Sequence, residues 1–364
     1  MHHTLIQLIA AAALGMASPL VAVQDPPPGG GAGSGGSGGA PPAGAQNDPL
    51  AGEMTDASDK AVERGFQFLL SQQMSDGSFG RGRLESNVGV TALACLALMS
   101  DGHLPGRGEY GEAVQKGLRF ILDRVTETGF IVGETTSHGP MYEHGFAALF
   151  LGEIYGMNPS DERVREALVK ATHLIINSQN DEGGWRYYPV PFDADISVTI
   201  CEVMALRSAR NAGIKVPKET IDRAVEYVRN CQNHDGGFRY MLGTGGSAWP
   251  RTAAGVASLF YAGIHEDNAI DRGLDYIARN AMPGAANRTG EAHYFYGHYY
   301  AVQAMYLAGG KHWERWWPAI RDELVRSQSS NGSWPDHYAN GAYGTAMALI
   351  ILQMPKRYLP IFQK

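Results

Sequence analysis

Four segments of the chain obey one rule, Q-x-x-[DEN]-G-[GS]-[FW]. They are QQMSDGSFG from Gln72, QNDEGGWRY from Gln179, QNHDGGFRY from Gln232 and QSSNGSWPD from Gln328. Such a repeat restricts the fold more than any composition figure, because stacked copies of one supersecondary unit must share one geometry. Glycine after an acidic or amide residue supplies the positive φ that a helix C-terminus and a tight turn require. The aromatic after it can fold back onto its helices, and the glutamine can bond backbone groups freed at the helix end. The motif reads as structural punctuation rather than catalysis.

Each copy separates an amphipathic helix from a more apolar one. Val62, Phe66, Leu69 and Leu70 recur at helical spacing before the first copy, and VGVTALACLALM follows it as a nearly all-apolar helix. The alternation returns along the chain and gives six helical pairs. Their turn glycines are Gly77, Gly129, Gly183, Gly236, Gly284 and Gly332, a period of roughly fifty residues. No segment reads as a strand. An open superhelix would mark its ends with atypical capping repeats. The last pair instead keeps an intact motif and stops after the short tail PKRYLPIFQK. The expected fold is all-α, an (α/α)6 toroid closed from six helical hairpins, with the apolar helices inside.

The N-terminus reads differently. Residues 1–23 hold an apolar stretch with a small-residue cleavage site after Ala22, the pattern of a signal peptide, although its first residues carry histidines and no Lys or Arg. An uncleaved membrane anchor is the alternative, since the stretch nears spanning length. Gly15, Ser18 and Pro19 favour cleavage. Residues 24–55, rich in Gly and Pro, have almost nothing to bury and read as a disordered linker. The toroid is expected over residues 56–364, in an exported protein.

A formal net charge of −7 provides no global basic field, so nucleic acid is not an expected partner. Cys95, Cys201 and Cys231 all sit in apolar helical contexts and read as buried, inert thiols. Asn287 and Asn331 match the N-glycosylation pattern, and the GTGG at Gly243 reads as an ordinary loop.

The repeated motif, the six pairs and their inner and outer alternation resemble the α/α-toroid superfamily of squalene and oxidosqualene cyclases and protein prenyltransferase β-subunits. The resemblance covers roughly Ala57 to the C-terminus. It implies a central cavity that binds an isoprenoid-like or other apolar ligand, and leaves its transformation open, since one fold hosts several chemistries. Aligning the inner helices on Thr91, Thr199, Thr252 and Thr345 places the prenyltransferase zinc ligands at Asp195, Ser197 and Arg251. Serine is a poor zinc ligand and arginine cannot bind a cation, so no metal or other cofactor is expected. The cyclase acid motif Asp-x-Asp-Asp-Thr corresponds to DADIS, with Asp193 and Asp195 kept and the third aspartate replaced by Ile196. Asp195 is thus the candidate acid, with Asp193 beside it. It is equally a helix N-cap, with Arg251 as its expected cationic partner.

The other inner helices also open on polar and aromatic residues. Tyr142, Glu143 and His144 begin one, Trp249 and Arg251 another, and His293, Tyr294, Tyr296, His298, Tyr299 and Tyr300 a third. Tyr142, His144, Trp249, Arg251, Tyr294, His298 and Tyr299 are candidate cavity residues, though each also suits a packed core. Two further classes stay open. A polysaccharide lyase could use His298, Tyr299 and Arg251, and a glycosidase could use Asp195 with Glu143 or Glu202. A tethered, non-catalytic binding or scaffold protein fits the long linker.

Purified protein should carry substoichiometric zinc by elemental analysis. One tightly held zinc per chain, released by Asp195→Ala, would overturn the ligand reading.

Overall fold

The computed structural model describes residues 52–137, 139–243, 245–284 and 292–363. The signal peptide, almost all of the linker and Asn287 lie outside the described residues. The helices run in chain order as α1 (Asp56–Ser71), α2 (Val88–Met99), α3 (Gly111–Leu122), α4 (Pro140–Met157), α5 (Glu162–Ser178) and α6 (Ile196–Asn211), then α7 (Lys218–Asn230), α8 (Trp249–Tyr261), α9 (Asn268–Asn280), α10 (Tyr294–Ala308), α11 (Gly310–Ser327) and α12 (Gly341–Leu352). Among the described residues there is no strand, and no helix is long and apolar enough to cross a membrane.

Even-numbered helices form the inner ring. Each packs against its even neighbours, and α12 packs on both α10 and α2, which closes the circle. Every residue of α2 is buried, as are ten of the twelve residues of α12. That all-round apolarity is what a helix needs with neighbours on both flanks, an outer helix behind it and the ring interior in front. Odd-numbered helices bury one stripe only. In α9 that stripe is Ile270, Gly273, Leu274 and Ile277.

The repeated motif fastens four of the six pairs to the next. Gln73 Nε2 donates to the Gly77 and Ala113 carbonyls, at 3.1 and 2.9 Å, so one side chain holds its own turn and the following outer helix. Gln179 does the same with Gly183 and Thr220, and Gln232 with Gly236 and Ala269. Gln328 reaches Gly332 at 2.9 Å and Ala61 at 2.8 Å, and Ala61 belongs to α1. The last repeat is therefore joined to the first by the same bond. The aligned threonines carry the second half of the joint. Oγ1 of Thr91, Thr199, Thr252 and Thr345 accepts from the backbone N–H of Phe79, Trp185, Phe238 and Trp334, at 3.0–3.1 Å. The two tryptophans fold back as expected, their indole N–H groups donating to Ile175 and Leu324 carbonyls on the preceding outer helices.

The tail after α12 is built into the toroid. Gln353 Nε2 donates to the Ala97 carbonyl on α2, Lys356 pairs with Asp101, and Arg357 lies over the Tyr306 ring of α10. Ile361 N–H donates to Glu153 on α4 at 3.0 Å, and Ile361 and Phe362 are buried. The segment thus crosses the C-terminal ends of the inner helices. Burial pushes the Glu153 carboxyl up to about 7, against the pull of the Ser208 hydroxyl and the Ile361 N–H.

Gly332 has φ +86°, and a Cβ there would strike the Arg64 carbonyl oxygen of α1 across the seam. Gly263 has φ +91° but open space around it. Gly263→Ala should cost about 1 kcal/mol from backbone strain alone, and Gly332→Ala about 2 kcal/mol or more because the seam must also part. Chemical-denaturant midpoints of the two variants check this. Equal losses would show that the seam yields freely.

Candidate functional site

The inner helices all begin at the same end of the ring, and their N-termini surround one cavity of about 910 Å³. That volume lies within the range of about 300–1,000 Å³ usual for small-molecule sites. Val90 and Leu93 of α2, Phe146 of α4 and the rings of Tyr142, Tyr296 and Tyr343 supply the inner wall. Tyr187 and Tyr240, from loops before α6 and α8, complete it. Phe146 and Leu93 lie about one turn further along their helices than Glu143 and Gly89, which makes them the floor. Arg83, Glu134, Arg251, His293, Asp336 and Tyr338 stand among the remaining lining residues. Burial raises the phenols of Tyr142, Tyr240, Tyr296 and Tyr343 above their ordinary value, so all four are neutral hydroxyls.

Of the candidate cavity residues, Tyr142 and Arg251 line this space. His144 does not. Its Nδ1 accepts from the Ile131 N–H at 3.1 Å, the position that threonine holds in the four motif-bearing pairs. Burial pushes its imidazole down to about 4, with the Ala171 carbonyl opposing, so the ring is neutral. His298 is buried among the rings of Trp249, Tyr294 and Trp316, between α8, α10 and α11 rather than on the cavity wall. Tyr294 donates its hydroxyl to Glu323 of α11 in the same layer. Tyr299 packs edge-on against Phe146 and Tyr300, fully buried and also off the wall. The α10 side chains leave the cavity because the helix turns their face toward its neighbours; His293 and Tyr296 are the residues of that run that remain.

Asp195 is fully buried and caps α6. Its Oδ1 accepts from Ser197 N at 2.8 Å and Val198 N at 2.9 Å, and its Oδ2 from the Tyr240 hydroxyl at 3.0 Å. Its cationic neighbour is Arg186, with Nε 3.6 Å from Oδ2, and not the expected Arg251. Arg251 instead donates to the Gly246 carbonyl and lies beside the Tyr240 ring. Asp193, about one-third exposed, also pairs with Arg186. Burial pushes the Asp195 carboxyl up to about 6, opposed by Val198 N, Tyr240, Ser197 N and Arg186. The aspartate is not itself on the wall and meets the cavity through Ser197 and Tyr240, the latter's hydroxyl also bonding that of Tyr187. Sequence reasoning passed over this trio. The signal was present: only the copies at Gln179 and Gln232 continue into Arg-Tyr, giving Arg186, Tyr187 and Tyr240.

The two glutamates separate cleanly. Glu143, 4% exposed, lines the cavity, and its Oε1 accepts from Asn87 Nδ2 at 3.0 Å and Ser137 N at 2.7 Å. Glu202 is fully buried against Gly145 of α4, and burial alone raises its carboxyl well above the usual range. All three cysteines are buried free thiols. Among the described residues no three His, Cys, Asp or Glu side chains converge as a metal site.

The sequence profile of the prenyltransferase alpha-alpha toroid domain matches residues 50–136 and 146–291, and the chain belongs to that family. Among curated proteins none matches by sequence. Solved structures share the fold at low identity. An inactive variant of the GH76A α-1,6-mannanase of Salegentibacter, in complex with α-1,6-mannotriose, superposes with a TM-score of 0.62 at 10% identity, covering 82% of this chain and 99% of that one. A variant of the type II terpene cyclase MstE of Scytonema, in complex with geranylgeranyl dihydroxybenzoate, gives 0.56 at 15% identity, covering 84% and 98%. A protein from Actinoplanes gives 0.53 at 16% identity, covering 83% and 99%.

Because its folded-state carboxyl is raised, Asp195 keeps a proton that the unfolded chain has already lost between about pH 4 and pH 6. Its contribution to stability therefore falls as pH rises through that window. Asp195→Asn should flatten this part of the stability–pH curve, and Asp195→Ala should cost about 0.5–2 kcal/mol as a lost cap. Thermal melts across pH 3.5–7 (roughly the titration range of the group) check both, and an unchanged slope in the Asn variant would refute the assignment.

Proposed function

We propose that this chain is an exported toroid that binds a largely apolar, isoprenoid-like small molecule in the cavity at the inner-helix N-termini. The observation that carries the reading is the wall itself. Five tyrosine rings, at positions 142, 187, 240, 296 and 343, stand over a floor of Phe146 and Leu93. Aromatic faces offer an extended hydrocarbon large contact area and no hydrogen bond that it must satisfy. The rim supports the same reading. Tyr338 is exposed at the cavity margin.

Binding is preferred over proton-initiated cyclisation. An alkene must meet a strong acid directly. Asp195 instead sits behind Tyr240, with both oxygens taken by donors, and a neutral phenol is far too weak an acid to replace it. The glycosidase alternative asks for two carboxyls facing one sugar. Of its sequence candidates, Glu143 reaches the cavity, while Asp195 and Glu202 lie behind the wall; Glu134 and Asp336 also line the space, so the choice between the readings rests on the aromatic wall.

Geranylgeraniol and α-1,6-mannotriose, offered separately in a thermal-shift titration, discriminate the readings. A polyprenoid at about 100 times its Kd should stabilise the fold by about 2.7 kcal/mol, and mannotriose should leave it unmoved. Stabilisation by mannotriose, or its cleavage, with none by the polyprenoid would overturn the proposal.

A further inference from the structure

Among the described residues five large apolar side chains are exposed, and three of them fall within five consecutive positions: Tyr188, Val190 and Phe192, at 60, 53 and 84%. Single exposed apolar residues are ordinary on a protein surface, whereas a cluster marks a place that meets something. The backbone beneath them is equally unusual. Pro189 and Pro191 have no N–H to offer, and their fixed φ suits the centre of an inverse γ-turn. Two such turns follow one another, Val190 N–H donating to the Tyr188 carbonyl at 2.7 Å and Phe192 N–H to the Val190 carbonyl at 2.9 Å. Of the five positions, Tyr188 alone keeps an N–H outside the turns. The loop is also held in place. Asp195 N–H closes its neck on the Trp185 carbonyl at 2.9 Å, Arg186 pairs with Asp193, and Met141 N–H at the start of α4 holds the Tyr187 carbonyl at 3.1 Å. The prolines and the closed neck keep the three side chains from folding back onto the ring.

We propose that residues 188–192 dock this protein on a lipid surface, with Tyr188, Val190 and Phe192 entering the boundary between headgroups and acyl chains. The proposal stands on the loop alone and does not need the cavity to be occupied. Lipid offers apolar contact and, in its interior, no hydrogen-bond acceptor, so a segment that enters it must carry few free donors. This one carries few. The Tyr188 hydroxyl and the remaining carbonyls suit the wet side of the boundary, where tyrosine is enriched and insertion reaches only about 5–10 Å. A protein partner fits less well. Three side chains at these exposures present roughly 350 Å², under half of the roughly 800 Å² that each partner brings to a standard interface. The loop also lacks donors for the hydrogen bonds that such an interface carries. Charge has little part in the contact. No Lys, Arg, Asp or Glu lies within 188–192, the flanking Arg186 and Asp193 pair with each other, and the chain carries a formal net charge of −7. Anionic lipid should therefore not strengthen docking.

The native cysteines are all buried, so a cysteine placed on the surface can be labelled selectively. Full chains carrying Phe192→Cys or, on the tail after α12, Tyr358→Cys are labelled with an environment-sensitive fluorophore and mixed with phosphatidylcholine vesicles. The label at 192 should shift to the blue and be quenched by lipids brominated on their acyl chains, and the label at 358 should do neither. Each label reports its own position, so tethering through the apolar N-terminal sequence does not imitate the result. Adding Val190→Asp to the Phe192→Cys chain should weaken vesicle partitioning about tenfold or more, since an apolar contact is lost and a charge must be desolvated. Adding phosphatidylglycerol should leave it no stronger. A silent label at 192, equal shifts at both positions, a shift that requires phosphatidylglycerol, or partitioning unchanged by Val190→Asp would each overturn the proposal. A blue shift at 192 that grows with protein concentration in the absence of vesicles would overturn it too, and would assign the loop to a second copy of the chain.

Discussion

The toroid depends on one glutamine amide used repeatedly. An amide N–H2 has two donors, and at Gln73, Gln179, Gln232 and Gln328 one goes to the turn that ends an outer helix and the other to a carbonyl of the next outer helix. Each bond is worth only about 0.5–1.5 kcal/mol net. Their weight comes from geometry: one planar group sets the spacing of adjacent pairs at four of the six joints, including the one that closes the circle. Closure then buries both flanks of every inner helix, which is why α2 and α12 can be apolar on every face.

Packing six inner helices in parallel has a second effect. Their N-termini crowd one end of the ring, and the free N–H groups there need acceptors. Asn87, Asp195 and Asn340 answer as N-caps, and each lies beside the cavity margin. The polar residues at the mouth are thus partly a product of the fold. This is the reason Asp195 carries so much hydrogen bonding and so little contact with the cavity.

The architecture was legible in the sequence because it is written in repeats. Turn glycines at constant spacing, paired with alternating amphipathic and apolar helices, are local signals that tertiary packing reinforces. The site was legible only in part. Tyr142 and Arg251 begin inner helices and face inward, as their positions implied. His144, Tyr294, His298 and Tyr299 lie in the first two turns of inner helices, yet face their neighbours, because a helix presents consecutive residues to directions about 100° apart and sequence alone does not fix the rotation. Arg186, Tyr187 and Tyr240 escaped notice for a different reason. They sit just past a motif whose residues are fully accounted for by its structural role, and the pairing of Tyr187 with Tyr240 joins equivalent residues of successive repeats.

The tail that crosses the far ends of α2, α4 and α10 gives the ring a base as well as a mouth. A tube open at both ends would let a long molecule thread through, entering and leaving in sequence. A cup admits no such traffic. Whatever occupies the cavity must back out by the way it came, so an occupant blocks its successor, and exchange is limited by departure rather than by arrival. For an apolar guest on tyrosine walls, departure means returning hydrocarbon to water unless an apolar acceptor waits at the rim. The exposed Tyr338, at the cavity margin, is where such an acceptor would first make contact.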